Sequence, residues 1–266
     1  MNLYDAHNHL QDERFGAATP AILAEAKETG VVAMVVNGSC EQDWDAVAGL
    51  ARADHTVIPS YGVHPWYHAE RSPRWLDDLR QRIAADPRAA VGEIGLDRWK
   101  RNLPHDEQEA VFLAQWKLAA EFNRPASIHC LKTWGRLFVL LREYPAPACG
   151  FILHSYGGPR EMVGGFAELG AYFSFPGYYL HERKAGQREV FRAVPKDRLL
   201  IETDAPDQRL PDDLNEFPCV DRDGAPVNHP ANLRAVYRGL ASALGGSMED
   251  LVSTVEANFL RLFPRA

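Results

Sequence analysis

Short apolar runs rich in β-branched residues alternate along the chain with longer stretches of helical period. The runs Leu3–His7, Val31–Val36, Val57–Gly62, Ala89–Ile94, Pro125–His129, Phe151–His154, Ala171–Phe175 and Leu199–Thr203 predict eight strands. Some, such as Val31-Val32-Ala33-Met34-Val35-Val36, are apolar at every position, as a parallel strand covered on both faces requires. Between the runs, Thr19-Pro20, Ser72-Pro73 and Gly158-Pro159 read as helix starts, and Gly30 as a left-handed helix stop. From His105 to Phe122, the residues Val111, Gln115, Leu118 and Phe122 recur at helical spacing, with Phe112 and Ala119 alongside. Strand and helix alternating eight times over about 250 residues predicts an α/β chain folded as a (β/α)8 TIM barrel. A doubly wound open sheet has the same alternation. No linker or composition break divides residues 1–266, so one domain is expected.

The 266 residues are 46% hydrophobic and 24% charged, which excludes wholesale disorder. A net charge of −7 excludes a whole-molecule basic footprint for nucleic acid and leaves room for a local patch. Cys40, Cys130, Cys149 and Cys219 form no C-x-x-C pair, so neither a zinc knuckle nor a disulfide frame is expected. No apolar stretch approaches the roughly 20 residues that span a bilayer, and Met1 to His7 lack the pattern of a secretory signal. The expectation is a cytoplasmic protein with no membrane partner and no obligate protein partner evident. One connection stands out: Asp207 to Asn228 carries six acids against two arginines, with three prolines and no periodicity. Loops this long in compact domains are usually functional.

Placed on the predicted strands, six residues converge. His7 and His9 form an H-x-H at the end of strand one, on one side of the strand. Glu93 closes strand four, His129 strand five and His154 strand six, and Asp204 follows strand eight. Barrel enzymes assemble their sites from such strand ends. Four imidazoles and two carboxylates suit Zn, Mn, Fe or Co better than Ca. Six ligands exceed the needs of one tetrahedral ion; a bridging carboxylate with two ions roughly 3.5–4 Å apart uses them all.

The motifs Asp5-Ala6-His7-Asn8-His9-Leu10, Gly62-Val63-His64-Pro65, Gly92-Glu93-Ile94-Gly95-Leu96-Asp97 and Ile201-Glu202-Thr203-Asp204-Ala205-Pro206 resemble the signatures of the TatD-type metal-dependent deoxyribonucleases. Asn228-His229-Pro230-Ala231-Asn232-Leu233 and Asn258 to Phe263 fit as well, so the resemblance runs from residue 3 to residue 263. It implies a barrel holding two divalent ions (Mg, Mn or Zn), one amid His7, His9, Glu93 and Asp204, the other amid Glu93, His129 and His154. Glu93 would bridge them, Asp204 would act as general base on an attacking water that the ions acidify, and His64 would stand near the substrate phosphate. His64 also reads as a helix cap before Pro65. Glu202 reads as a support to the metal ligands, as a ligand of an auxiliary ion, or as packing beneath the barrel floor.

The implied reaction is phosphodiester hydrolysis on DNA, from an end and on a single strand. Loops after strands three, four, five and seven interleave rings with cations, which single-stranded nucleic acid calls for. Trp99, Arg101 and Lys132 are the expected contacts beside His64, whereas Trp134 fits helix core equally well. Two features depart from the family pattern. Cys130-Leu131-Lys132 replaces a Ser-Arg-Asp, and the Asp207–Asn228 loop is net −4 (six acids, two arginines), which would repel a polyanion. Other readings of the same residues are hydrolysis of a small-molecule or aminoacyl ester or amide, and a binding protein with a vestigial site.

Overall fold

In the computed structural model, which describes residues 1–100 and 103–263, all eight apolar runs are strands. They are β1 (Leu3–Asn8), β2 (Val31–Asn37), β3 (Val57–Tyr61), β4 (Ala90–Asp97), β5 (Ala126–Leu131), β6 (Phe151–Leu153), β7 (Ala171–Pro176) and β8 (Leu199–Glu202). Each pairs in parallel with the next, in chain order. The seam between β8 and β1 closes without a regular ladder. The amides of Asp204 and His9 donate to the carbonyls of His7 (2.9 Å) and Ala205 (2.7 Å). Beneath them, the buried Asp5 carboxylate accepts from the Thr203 amide at 2.9 Å and hydroxyl at 2.6 Å. Burial raises the Asp5 carboxyl to about 7 even against those bonds. The cylinder is closed, which excludes the open sheet.

The helices are α1 (Thr19–Glu28), α2 (Trp44–Ala53), α3 (Trp75–Ala85), α4 (His105–Phe122), α5 (Trp134–Glu143), α6 (Val163–Glu168), α7 (Ala185–Phe191), α8 (Leu233–Leu244) and α9 (Met248–Leu262). The Thr19-Pro20 start stands, with proline in the first turn of α1 and Gly30 (φ +101°) just past its end. After Ser72-Pro73 the helix begins at Trp75, and Gly158-Pro159 leads first into a 3-10 turn, Arg160–Met162. The helix predicted from His105 to Phe122 is α4 from end to end, stopped by Asn123 in the left-handed region. Its buried face includes two glutamines two turns apart. Gln115 pairs with both the amide (2.7 Å) and the carbonyl (3.1 Å) of Val63, next to His64. Gln108 does the same for Asp97, at 2.9 and 3.1 Å. Losing either side chain would strand buried backbone groups, at about 1–3 kcal/mol for each such group.

One expectation about the strands is corrected. β4 does not end near Glu93 but continues to Asp97, and β5 continues two residues past His129. The β4–β5 register shifts between Val91 and Ile94. Glu93 lies in that break, its amide turned to the Gly38 carbonyl at 2.8 Å. Just beyond, Gly95 has φ +151°, and a Cβ there would lie 2.0 Å from the His129 carbonyl, so only glycine permits the approach of the two strands. His7, Glu93 and His129 therefore lie within strands, and only His9, His154 and Asp204 lie just past strand ends.

The acidic connection is more ordered than its composition suggests. It contains a 3-10 turn, Asp212–Leu214, and a small hairpin of β9 (Cys219–Val220) and β10 (Pro226–Val227). Much of its charge is paired: Asp207 with Arg14, Asp212 with Arg209 and Glu216 with Arg238. The expected repulsion of a polyanion weakens accordingly. Among the described residues, no helix is long and apolar enough to cross a membrane.

Candidate metal centre

A cavity of about 610 Å³ opens at the end of the barrel where these six residues meet. Glu93 is at its floor, and its two carboxylate oxygens face different neighbours. Oε2 lies 3.6 Å from His7 Nε2 and 3.2 Å from His9 Nε2, and Asp204 Oδ1 is 3.6 and 3.5 Å from the same two nitrogens. Oε1 lies 3.1 Å from His129 Nδ1, 2.8 Å from His154 Nε2 and 3.5 Å from His64 Nε2. All seven residues are buried or nearly so.

The far side of each ring decides what faces inward. His9 Nδ1 lies 2.7 Å from the Asn37 carbonyl, which can only accept, so Nδ1 carries a hydrogen and Nε2 is the nitrogen turned to Glu93, a lone pair there whenever the ring is neutral. His129 is oriented the same way by Asp97, whose Oδ2 lies 3.0 Å from Nε2, leaving Nδ1 inward. His7 Nδ1 meets Ser127 Oγ at 2.7 Å. His154 Nδ1 has no hydrogen-bond partner among the described residues, with Glu202 Oε1 at 3.7 Å. Glu202 is fully buried and accepts from the hydroxyls of Ser155 and Ser174, so it supports the ring of His154 from below.

Lone pairs aimed at carboxylates attract only if a positive charge lies between them. Burial would lower His9, yet its contacts with Asp204 and Glu93 carry it well above the usual imidazole range. His154 is likewise raised, against burial, by Glu93 and Glu202. Burial would raise the Glu93 carboxyl, but the imidazoles against it, His154 and His129 within hydrogen-bonding reach, hold it well below the ordinary carboxylate range. A donor set of imidazole nitrogens and carboxylate oxygens that pulls in cations this strongly fits a divalent metal ion.

His64 differs from the other rings. Its Nδ1 accepts from the Trp66 amide at 3.1 Å, so the neutral ring carries its hydrogen on Nε2. Burial lowers it to about 3, which keeps it neutral. One ring thus caps the backbone after Val63 and presents a donor to the cavity. Asp204 is held by Gln208, whose Nε2 donates to Oδ2 at 2.8 Å and also to Ser155 Oγ.

At the rim, Trp99 lines the cavity and is 56% exposed. Arg101 lies outside the described residues. Lys132 follows β5 with φ +57°, is exposed, and does not line the cavity. Trp134 is core, packed on Tyr156 and Phe166. The cations that do line the cavity, among the described residues, are Lys184 and Arg14. Arg14 is engaged by Asp12 and, through both terminal nitrogens, by Asp207 at 2.9 and 2.7 Å. Arg14, Gln208, Ser127 and Asn37 have no signal of their own in the sequence. Asp97 stands in the Gly-Glu-Ile-Gly-Leu-Asp motif, where a buried acid closing an apolar strand was the available clue.

Comparison with known proteins agrees with this geometry. The chain is 32% identical over 265 residues to the 3'-5' ssDNA/RNA exonuclease TatD of Pantoea vagans (strain C9-1), covering 98% of this chain and 99% of that one. It is 31% identical over 266 residues to the protein of the same description from Escherichia coli (strain K12), covering 98% of each. The crystal structure of a TatD homolog from Escherichia coli k12 superposes with a TM-score of 0.89 at 26% identity, covering 99% of this chain and 98% of that one. Residues 4–264 match the family described as TatD related DNase, and the chain belongs to that family.

Proposed function

We propose that this protein is a divalent-metal-dependent nuclease that hydrolyses phosphodiester bonds of single-stranded nucleic acid from an end. The observation that carries the reading is the division of Glu93, one oxygen among His7, His9 and Asp204, the other among His129, His154 and His64. That division supports room for two divalent ions, which His7, His9, Glu93 and Asp204 would hold on one flank and Glu93, His129 and His154 on the other. Mg, Mn and Zn all match the donor set. When bound, such ions supply the positive charge that acidifies a water and neutralises a phosphoryl oxygen. The bacterial relatives' description as 3'-5' ssDNA/RNA exonucleases supports the single strand and a 3′ start.

The chain's own groups divide the remaining work. Asp204 keeps Oδ1 toward His7 and His9, while Gln208 steadies Oδ2, so the carboxylate is oriented to take the proton from the attacking water. His64 holds a hydrogen on Nε2 at the cavity floor and donates it to a phosphate oxygen without carrying charge. Lys184 and Arg14 at the mouth face the strand's backbone, Arg14 once Asp207 releases it. The unbridged state of all four cysteines supports a cytoplasmic setting.

The test is release of nucleotides from single-stranded DNA labelled at either end, after stripping the protein of metal and adding Mg²⁺ or Mn²⁺, with Glu93→Gln alongside. Metal-dependent release from the 3′ end, lost in the variant, is the expected result. A protein that takes up two ions and releases nothing would overturn the nucleic-acid substrate, and full activity in Glu93→Gln would overturn the bridging role.

A further inference from the structure

The Asp97 carboxylate is buried at the end of β4 and belongs to two structures at once. Oδ1 accepts the backbone amides of Trp99 at 2.6 Å and Lys100 at 2.9 Å, which sets the turn that carries Trp99 to the rim. Oδ2 accepts the indole N–H of Trp66 at 2.8 Å and lies 3.0 Å from His129 Nε2. Trp66 and Trp99 are stacked, ring centres 6.3 Å apart and planes 28° from parallel. Trp66 in turn meets His64 and His129 edge-on, at 5.2 and 6.3 Å. A ladder of rings therefore runs from the cavity floor to its mouth, and Lys100 Nζ lies 4.9 Å from the Trp66 ring centre.

Trp99 ends that ladder as the one exposed Trp, Tyr or Phe side chain among the described residues. Its backbone is held while its ring is left to solvent, a fixed aromatic surface with a cation beside it. We propose that Trp99, seated on Trp66, is a stacking subsite for a nucleobase next to the bond that is cut, and that Asp97 is the positioning residue joining this subsite to His129. The inference rests on the nuclease reading above and specifies how that site grips its strand. Every base offers a π face, so the subsite is indifferent to sequence. A base inside a duplex has its faces covered by its neighbours, so the subsite accepts only an unstacked or terminal one. Because Asp97 also orients His129, the strand grip and the metal flank share a single support.

The test compares two phosphorothioate-linked thymidine octamers, one complete and one abasic at its two 3′-terminal positions, by fluorescence anisotropy with Mn²⁺ present. The complete octamer should bind about tenfold more tightly, within the range of one base–aromatic contact. Trp99→Ala should remove that preference by weakening only the complete octamer, with metal content by elemental analysis unchanged. Trp66→Phe keeps a ring, loses the N–H to Asp97, and should lose part of the preference. Asp97→Asn should lose the preference and also weaken Mn²⁺ binding by about 10–100-fold, as loss of a carboxylate behind a histidine ligand does. Equal weakening of both octamers by Trp99→Ala, or a preference that survives it, overturns the stacking subsite. Asp97→Asn with unchanged Mn²⁺ affinity and preference overturns the junction. A parent protein that binds both octamers equally overturns this inference alone, whereas one that binds neither overturns the nuclease reading with it.

Discussion

The two oxygens of Glu93 face flanks that are built differently. On the β1 and β8 side, the rings of His7 and His9 are backed by uncharged groups, the Ser127 hydroxyl and the Asn37 carbonyl, and the anion, Asp204, faces inward. On the β5 and β6 side, the anions stand behind the rings, Asp97 behind His129 and Glu202 near His154. An inward carboxylate is available to ligate and to accept a proton. A carboxylate behind an imidazole orients it and strengthens its donor nitrogen. On the proposed reading, the first flank is arranged for proton transfer and the second for holding an ion and, through Asp97, the strand.

The largest expected effect comes from the group both flanks share. Glu93→Gln should lower turnover at least about a thousandfold, since removing a shared anion forfeits several kcal/mol of transition-state charge compensation. Asp204→Asn should lower kcat by about 10²–10⁴, the range of a general base, while the second flank still binds one ion by elemental analysis. A loss of both ions would show that the flanks are not separable. Next, Asp97→Asn and Ser127→Ala compare the two kinds of backing group directly. Mn²⁺ titration should show about a 10–100-fold loss for the first and a smaller one for the second, and equal losses would erase the distinction.

The smallest effect lies on the scaffold and serves as a control for unfolding. Asp54 pairs with Lys27 at 2.5 Å. Burial would raise it, but the bonds from Lys27 and Thr56 outweigh that and bring it from 3.8 to about 2. Its folded pKa is depressed, so its contribution is complete above 3.8 and is lost as pH falls toward 2. Acid unfolding followed by circular dichroism should start at slightly higher pH in Lys27→Ala. Metal release, driven by protonation of the flank imidazoles, should precede that transition in both proteins.

The barrel was legible because it depends on local pattern. Apolar runs such as Val31–Val36 must be covered on both faces, and α4 carries its own periodicity and a left-handed stop at Asn123. The six ionisable residues were legible as a set, because four histidines and two acids beside predicted strands are hard to place otherwise. Strand ends were less so. The shift in β4 around Glu93 arises from pairing with β5 across a stretch distant in sequence, and periodicity within one segment does not contain it. Trp99 and Lys132 looked alike as exposed residues in loops, yet the first lines the cavity and the second does not. The Asp97 carboxylate holds the turn carrying Trp99, whereas Lys132 has φ +57° outside the cavity's lining.

What the sequence determined by itself was the alternation that makes a barrel, the donor atoms that meet at its mouth, and the family. Which ring nitrogen faces the centre, which acid stands inward and which behind, and which cations reach the cavity were decided only by tertiary structure. The reason is physical. Burial and periodicity act within a segment, whereas a histidine's tautomer and a carboxylate's role depend on a partner tens or hundreds of residues away, as Asn37 is for His9, Asp97 for His129 and Thr203 for Asp5.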